Sequence, residues 1–216
     1  MIAGRFMNVL QGVETAGRRA GGPGAMLLLW LLVLPAWAEI SVTDDAGQTV
    51  ILESPAQRII SLAPYITELL FAAGAGQAVV GVTEFSDYPE AARSLAQVGG
   101  GGGLDLEAIL ALQPDLVVAW QSGNPRGQVE RLQSLGITVF LSEPRRLRDV
   151  PDTLQRLGLL AGTAAVAATR ADHFRRRYTE LHDHYAARPK VSVFYQIWGQ
   201  PLMTLNGEHL FSDVLR

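Results

Sequence analysis

The sequence predicts an α/β protein: a parallel-sheet, Rossmann-like lobe, a long connecting helix, and the start of a second α/β lobe that is incomplete. Three observations predict it. Between residues 57 and 145, short apolar runs alternate with amphipathic stretches, the rhythm of a parallel sheet covered on both faces. From Ala164 to Ala187 there is neither Gly nor Pro, and Ala, Arg, Glu and His dominate; this reads as one helix about 36 Å long at 1.5 Å per residue, longer than a tight crossover needs. After Pro189 come one apolar run and a helical stub, too few elements to cover a parallel sheet. The expected organisation is residues 39–160 as the N-terminal lobe, 161–188 as the connecting helix, and 189–216 as the start of a truncated C-terminal lobe.

Each element has its own signal. Arg18 and Arg19, a greasy run from Met26 to Leu34, Pro35 and Ala36-Trp37-Ala38 together read as a secretory signal over residues 1–38, with Met26 as a possible true start. The run is too short to span a bilayer, which takes about 20 residues. Ile40–Val50 alternates around an Asp-Ala-Gly turn and predicts a hairpin able to cover a sheet edge. Arg58–Leu62 is the first parallel strand; Pro64 suits the first turn of the helix after it, and Gly74 and Gly76 stop that helix. Ala78–Val82, Asp115–Ala119 and Ile137–Leu141 are three further strands. Asp87 with Glu90 three residues on predicts a capped helix start, and Asp105 a cap for Leu106–Leu112. Gly99 to Gly103 predicts a glycine loop, and helices are expected over Gly127–Leu135 and Asp149–Leu160. Val191–Ile197 predicts the first strand of the second lobe, Leu205-Asn206-Gly207 a turn, and Leu210–Arg216 a helix.

Composition removes several function classes. The chain has 216 residues, 48% of them hydrophobic, and a net charge of −3. Setting aside residues 1–38, with Arg5, Arg18, Arg19 and Glu14, leaves 15 basic and 20 acidic residues, and this acidic balance gives no reason to bind nucleic acid. There is no cysteine, hence no disulfide, thiolate metal site, cysteine nucleophile or lipidated cysteine anchor. No G-x-S-x-G, P-loop or H-E-x-x-H motif occurs, so no catalytic residue is named and the chain is read as a non-enzyme. Gly74-Ala-Gly76 lacks the third glycine of a dinucleotide fingerprint and ends a helix instead of opening one. His182 and His184 are two apart on a helix, face different directions, and cannot chelate one metal together; no metal site and no cofactor are expected.

In open α/β sheets ligands sit beyond the carboxyl ends of the strands. The exits here carry Tyr65 after the first strand, Phe85 and Tyr88 after the second, Trp120 after the third, and Trp198 after the second-lobe strand. Rings repeated at loop entrances make a wall for a large, flat, apolar ligand. Tyr65 is equally well a local helix-start residue, and Tyr88 suits local packing beside Pro89. The ligand-binding candidates are Phe85, Trp120, Trp198 and Tyr65.

Several stretches resemble one known family in order along residues 40–216: Ile60-Ser-Leu-Ala-Pro-Tyr-Ile-Thr-Glu-Leu-Leu-Phe-Ala-Ala-Gly74, Gly81-Val-Thr-Glu-Phe-Ser-Asp-Tyr-Pro89, Asp105-Leu-Glu-Ala-Ile109, Gln113-Pro-Asp-Leu-Val-Val-Ala-Trp120, Phe194-Tyr-Gln-Ile-Trp198 and Pro201-Leu-Met-Thr204. The sequence is similar to the iron-chelate and cobalamin periplasmic-binding proteins, and within them to the corrinoid-importer branch. The resemblance implies two α/β lobes joined by one long helix, with ligand held in the cleft between them. It implies a periplasmic, monomeric solute-binding subunit that captures cobalamin or another corrinoid and docks on an ABC-transporter permease in the inner membrane. A ferric siderophore or haem ligand is the alternative within the same family, and a non-functional truncated product is a second alternative. Phe85 falls where corrinoid-binding members carry a ligand-contacting tyrosine, and Trp120 on a cleft tryptophan. A further cleft tryptophan falls on Gly101, so one wall is missing here. Glu107 falls on the glutamate that pairs with transporter arginines; on composition alone it reads as a solvated helix carboxylate. The matching second-lobe glutamate and further ligand contacts would lie past Arg216, so weak ligand binding or none is expected of a chain that stops there. Siderophore binders oppose anionic chelates with arginine, whereas these exits are neutral and aromatic, with Arg126 the nearest exception.

Overall fold

The computed structural model describes residues 39–100 and 102–215; the expected signal, Gly101 and Arg216 lie outside them. The chain opens with the hairpin β1 (Ile40–Thr43) and β2 (Thr49–Leu52). Its turn is closed by buried Asp44, whose Oδ1 accepts from the Ala46 and Gln48 amides at 2.9 and 2.8 Å. Asp45 N–H donates to the Leu141 carbonyl at 2.9 Å, and Arg156 meets Asp45 at 2.6 Å. The hairpin therefore covers the sheet edge formed by Leu141, the role its early position suggested.

Five strands build the main sheet: β3 (Ile59–Ser61), β4 (Val79–Val82), β5 (Ala96–Gln97), and, after the ribbon β6 (Gly99–Gly100) and β7 (Gly103–Leu104), β8 (Leu116–Trp120) and β9 (Val139–Ser142). Their order is β5-β4-β3-β8-β9, and every pairing is parallel. Successive strand residues feed opposite faces, as the two-residue period requires. Ile59, Leu116, Val118 and Phe140 enter one core, and Ile60, Val117, Ala119 and Val139 the other. The first core is completed by Ile66 and Leu70 of α1 (Pro64–Ala72), and by Leu154, Leu157 and Leu160 of a later helix, Val150–Leu160. The second holds Ile109 of α2 (Leu106–Ala111) and Val129 and Leu132 of α3 (Arg126–Ser134). A sheet loaded on both faces explains why its strands read as unbroken apolar runs.

The later helix is α4 (Val150–Leu160), and it turns directly into α5 (Ala164–Tyr185). Their approach is close: a Cβ on Gly158 would sit 2.2 Å from the Ala167 Cβ, so the glycine permits the contact. Helix α5 has 22 residues, about 33 Å at 1.5 Å each. Its N-terminal turns bury Ala167 and Ala171; from Arg175 onwards almost every side chain is half or fully exposed. The hairpin β10 (Trp198–Gly199) and β11 (Leu202–Met203) and the short helix α6 (Leu210–Val214) follow.

Four local expectations are corrected. Asp87 caps no helix: residues Glu90–Ser94 form a 3-10 turn entered from Pro89, and the Asp87 carbonyl instead accepts from Arg93 Nε at 3.0 Å. The glycine run is not simply a loop, since Gly99–Gly100 pairs with Gly103–Leu104. The sheet has a fifth strand, Ala96–Gln97, held only by its ladder to Gly81 and Val82. Val191–Ile197 forms no strand; Val191 and Val193 stand exposed, and the run meets β11 at its last residue, where the Ile197 amide donates to the Met203 carbonyl at 2.9 Å. The Asp105 cap is present, accepting from the Ala108 amide at 2.9 Å.

Candidate ligand-binding crevice

The strand order fixes where a ligand can sit. From central β3 the chain runs outward through β4 and β5, then returns to β8 on the other side. The switch point lies between β3 and β8, and the crevice beyond their carboxyl ends is where open α/β sheets bind ligands. Tyr65 opens the helix that follows β3, and Trp120 is the last residue of β8. Their rings meet edge to face with centroids 5.8 Å apart.

Both rings are held from behind. The Tyr65 hydroxyl donates to the Ser142 carbonyl at 3.0 Å, tying the first turn of α1 to the tip of β9. Asn124 pins the other partner: its Oδ1 accepts from the Trp120 amide at 2.6 Å and its Nδ2 donates to the Leu62 carbonyl at 2.8 Å. One carboxamide thus staples the β3 and β8 exits together across the switch point. The Trp120 indole lies on the backbone of Gly123, where a Cβ would be 1.9 Å from its Cε3. Sequence reasoning passed over Asn124 and Gly123; a carboxamide and a glycine four and three residues past a strand-end tryptophan were the available signal.

The paired rings form one wall of a cavity of about 200 Å³, together with Glu143 and Pro144 after β9. The opposite wall is Glu208, His209 and Leu210, brought there by an Arg145–Glu208 ion pair at 3.1 Å and by the Leu147 amide donating to Asp213 at 2.9 Å. His209 Nδ1 accepts from the Phe211 amide at 3.1 Å, so in the neutral ring the proton sits on Nε2.

The other candidates are distributed differently. Phe85 stands on the same rim beyond β4 and is 80% exposed. Its φ of 65° is a left-handed conformation that costs a bulky residue about 1–3 kcal/mol. The loop is held by buried Ser86, whose hydroxyl meets Thr67 Oγ1 at 3.1 Å, and by Glu84 N–H donating to the Gly99 carbonyl at 2.8 Å. Trp198 is 63% exposed on the β10–β11 hairpin and donates to the Gln200 carbonyl at 3.1 Å. Among the described residues no ring contact joins Phe85 or Trp198 to the Tyr65–Trp120 pair, and neither lines the cavity. Glu107 is exposed in the first turn of α2. His182 and His184 are exposed on α5. No group of three or more His, Asp or Glu suited to a metal occurs among the described residues.

Burial, with the Glu143 and Asp45 carboxylates adding to it, pushes the Tyr65 phenol well above its ordinary range. The raised value makes the neutral phenol the form the fold favours. Its contribution to stability is complete below the unfolded value near 10 and is lost as pH rises through the folded value. In an alkaline titration of tyrosinate absorbance, Tyr65 is expected to give a step well above the ordinary tyrosine range, and Tyr65→Phe to remove that step.

Comparison with known proteins gives a consistent picture. A family model described as periplasmic binding protein matches residues 59–216. The vitamin B12-binding protein of Vibrio campbellii is 41% identical over 160 residues, 74% of this chain and 58% of that protein. That of Yersinia pestis (strain Pestoides F) is 38% identical over 191 residues, 88% of this chain and 62% of that protein. The solved structure of the periplasmic vitamin B12 binding protein of Vibrio cholerae matches with a TM-score of 0.71 at 39% identity, covering 74% of this chain and 63% of that one. A heme binding protein, HmuT, matches with a TM-score of 0.58 at 25% identity, covering 68% and 49%. The chain spans about three fifths of the length of the curated relatives it matches.

Proposed function

The chain belongs to the periplasmic binding protein family, and from that premise we propose that it is the solute-binding subunit of an ABC importer, capturing cobalamin or another corrinoid in the crevice beyond its sheet. The protein acts by binding, not catalysis, and works in the periplasm after export. The observation that carries this reading is the Tyr65–Trp120 pair at the topological switch point. The two rings are perpendicular, so a flat macrocycle lies on one face and meets the other ring at its edge, and the stacked contact adds about 0.5–1.5 kcal/mol beyond area burial. The vitamin B12-binding relatives at 36–41% identity support the ligand.

Haem is the second reading, favoured by the likeness to the HmuT structure. Two features weigh against it. The cavity's single histidine, His209, has its Nδ1 lone pair engaged by the Phe211 amide and its proton on Nε2, so the neutral ring offers iron no free lone pair. The nearby cations Arg126 and Arg145 are each paired to a glutamate, Glu130 and Glu208, which leaves an anionic chelate without an unpaired arginine there.

Calorimetric titration of the complete gene product with cyanocobalamin and with haemin tests the assignment. Saturable cyanocobalamin binding at micromolar ligand is expected; binding of haemin alone would reverse the order of the two readings. For the permease, Glu107 is the proposed docking carboxylate on this lobe. Glu107→Arg is expected to weaken association with the permease at least tenfold and to leave ligand affinity within twofold, about the scale of losing a charge pair at an interface rim. A pull-down with reconstituted permease reads it, and undiminished association would remove Glu107 from that role.

A further inference from the structure

Trp120 is the shared wall of two cavities. One is the aromatic crevice described above; the other, about 340 Å³, lies between the N-terminal hairpin, the β8 exit and α3. Its volume falls within the range typical of small-molecule sites, roughly 300–1,000 Å³. Its chemistry differs from the crevice. Three elements each contribute a carboxamide: Gln48 from the hairpin, Gln121 from the strand exit, and Gln133 from α3. None of these three side chains hydrogen-bonds to another group among the described residues. Asn124, the fourth carboxamide, is held at both ends, by the Trp120 amide and the Leu62 carbonyl. The backbone of Gln121 is itself held, its amide donating to the Ser142 carbonyl at 3.1 Å.

Charge in this cavity cancels. Arg126 and Glu130 both line it and bond to each other at 2.7 Å, so an anion gains no unpaired cation and meets a carboxylate. A carboxamide offers donors and an acceptor together, and three of them converging on a neutral space suit a group of the same kind. We propose that this cavity is a recognition site for neutral amide or hydroxyl groups on the periphery of the ligand whose flat face rests on Trp120. The inference rests on the corrinoid reading and deepens it: a ring system rimmed with carboxamides would place its face against the indole and its edge among the glutamines.

The test uses two corrinoids that differ at the rim. Dicyanocobinamide carries primary amides, whereas the heptamethyl ester of dicyanocobyrinic acid carries esters with no N–H. Calorimetry on the complete gene product compares the unsubstituted protein with a Gln121→Leu, Gln133→Leu double variant. Two lost neutral hydrogen bonds correspond to about a tenfold loss. The variant is expected to lose about tenfold for dicyanocobinamide and less than threefold for the ester. Unchanged affinity for dicyanocobinamide, or equal losses for both compounds, would overturn the site while leaving the aromatic crevice standing. Failure of the unsubstituted protein to bind either compound would overturn the corrinoid reading and this site with it.

Discussion

Trp120→Ala is expected to weaken corrinoid binding by about 30- to 150-fold. The indole supplies a stacking contact worth about 0.5–1.5 kcal/mol, and one ring face of roughly 60 Å² covered by ligand adds about 1.5 kcal/mol at 25 cal/mol per Å². The sum, about 2–3 kcal/mol, gives that range. The substitution also removes the edge-to-face contact that orients Tyr65, so the loss belongs to a pair and not to one ring. Trp198→Ala is the natural control: that ring is exposed on its own hairpin and lines neither cavity beside Trp120. Its loss is expected to cost less than fivefold, about 1 kcal/mol at most. Calorimetric affinities of the two variants, with far-ultraviolet circular dichroism as the check on folding, decide between them. Equal losses would mean that the ligand rests on a wall other than the switch-point pair.

Phe140→Ala is expected to destabilise the chain by about 3–5 kcal/mol, the range for emptying a fully buried aromatic site. Phe140 is 0% exposed on β9, packs in the core shared with α1 and α4, and lies under the Arg156 guanidinium at 5.3 Å from its centroid. Arg156 also donates to the Thr43 carbonyl and to Asp45. The ring therefore supports the clamp that fastens the N-terminal hairpin to the sheet edge. At about 2–4 °C per kcal/mol for a chain of this size, the midpoint of thermal unfolding is expected to fall by roughly 6–20 °C. A fall of under 2 °C would show that β9 and its hairpin are not part of the cooperative core.

What could be read from the sequence was what local chemistry fixes. The strands at 59–61, 79–82, 116–120 and 139–142 announce themselves because a doubly covered parallel sheet is apolar at nearly every position, Ser61 and Ser142 being the buried exceptions. Asp105 caps its helix because the acceptor and the amide three residues on belong to one turn. Helix α5 is visible because nothing in it breaks a helix. The elements that escaped depend on distant partners. Ala96–Gln97 is a strand only because β4 offers a free edge, and Val191–Ile197 is not one, despite its alternation, because its amides meet a described strand only at its last residue, Ile197. Asp87 has the side chain of a cap, but Pro89 occupies the entry to the turn.

The crevice followed the same division. Tyr65 and Trp120 stood out as rings at strand exits, and the rule that ligands gather there made them candidates. That they touch, while Phe85 and Trp198 stand apart from them, depends on strand order, which the sequence does not spell out. Asn124 and Gly123 matter only once the indole lies over one and its backbone amide meets the other. No spacing rule encodes that arrangement.

The most direct test is optical. Replacing the other tryptophans of the complete, exported gene product by phenylalanine leaves Trp120 as the only indole beyond the expected cleavage site. Its inner-filter-corrected emission is predicted to be quenched saturably by cyanocobalamin at a stoichiometry of one, with the same dissociation constant that calorimetry reports. Calorimetric binding with Trp120 emission unchanged would contradict the account, because the ligand would then sit away from the ring on which the whole crevice is built.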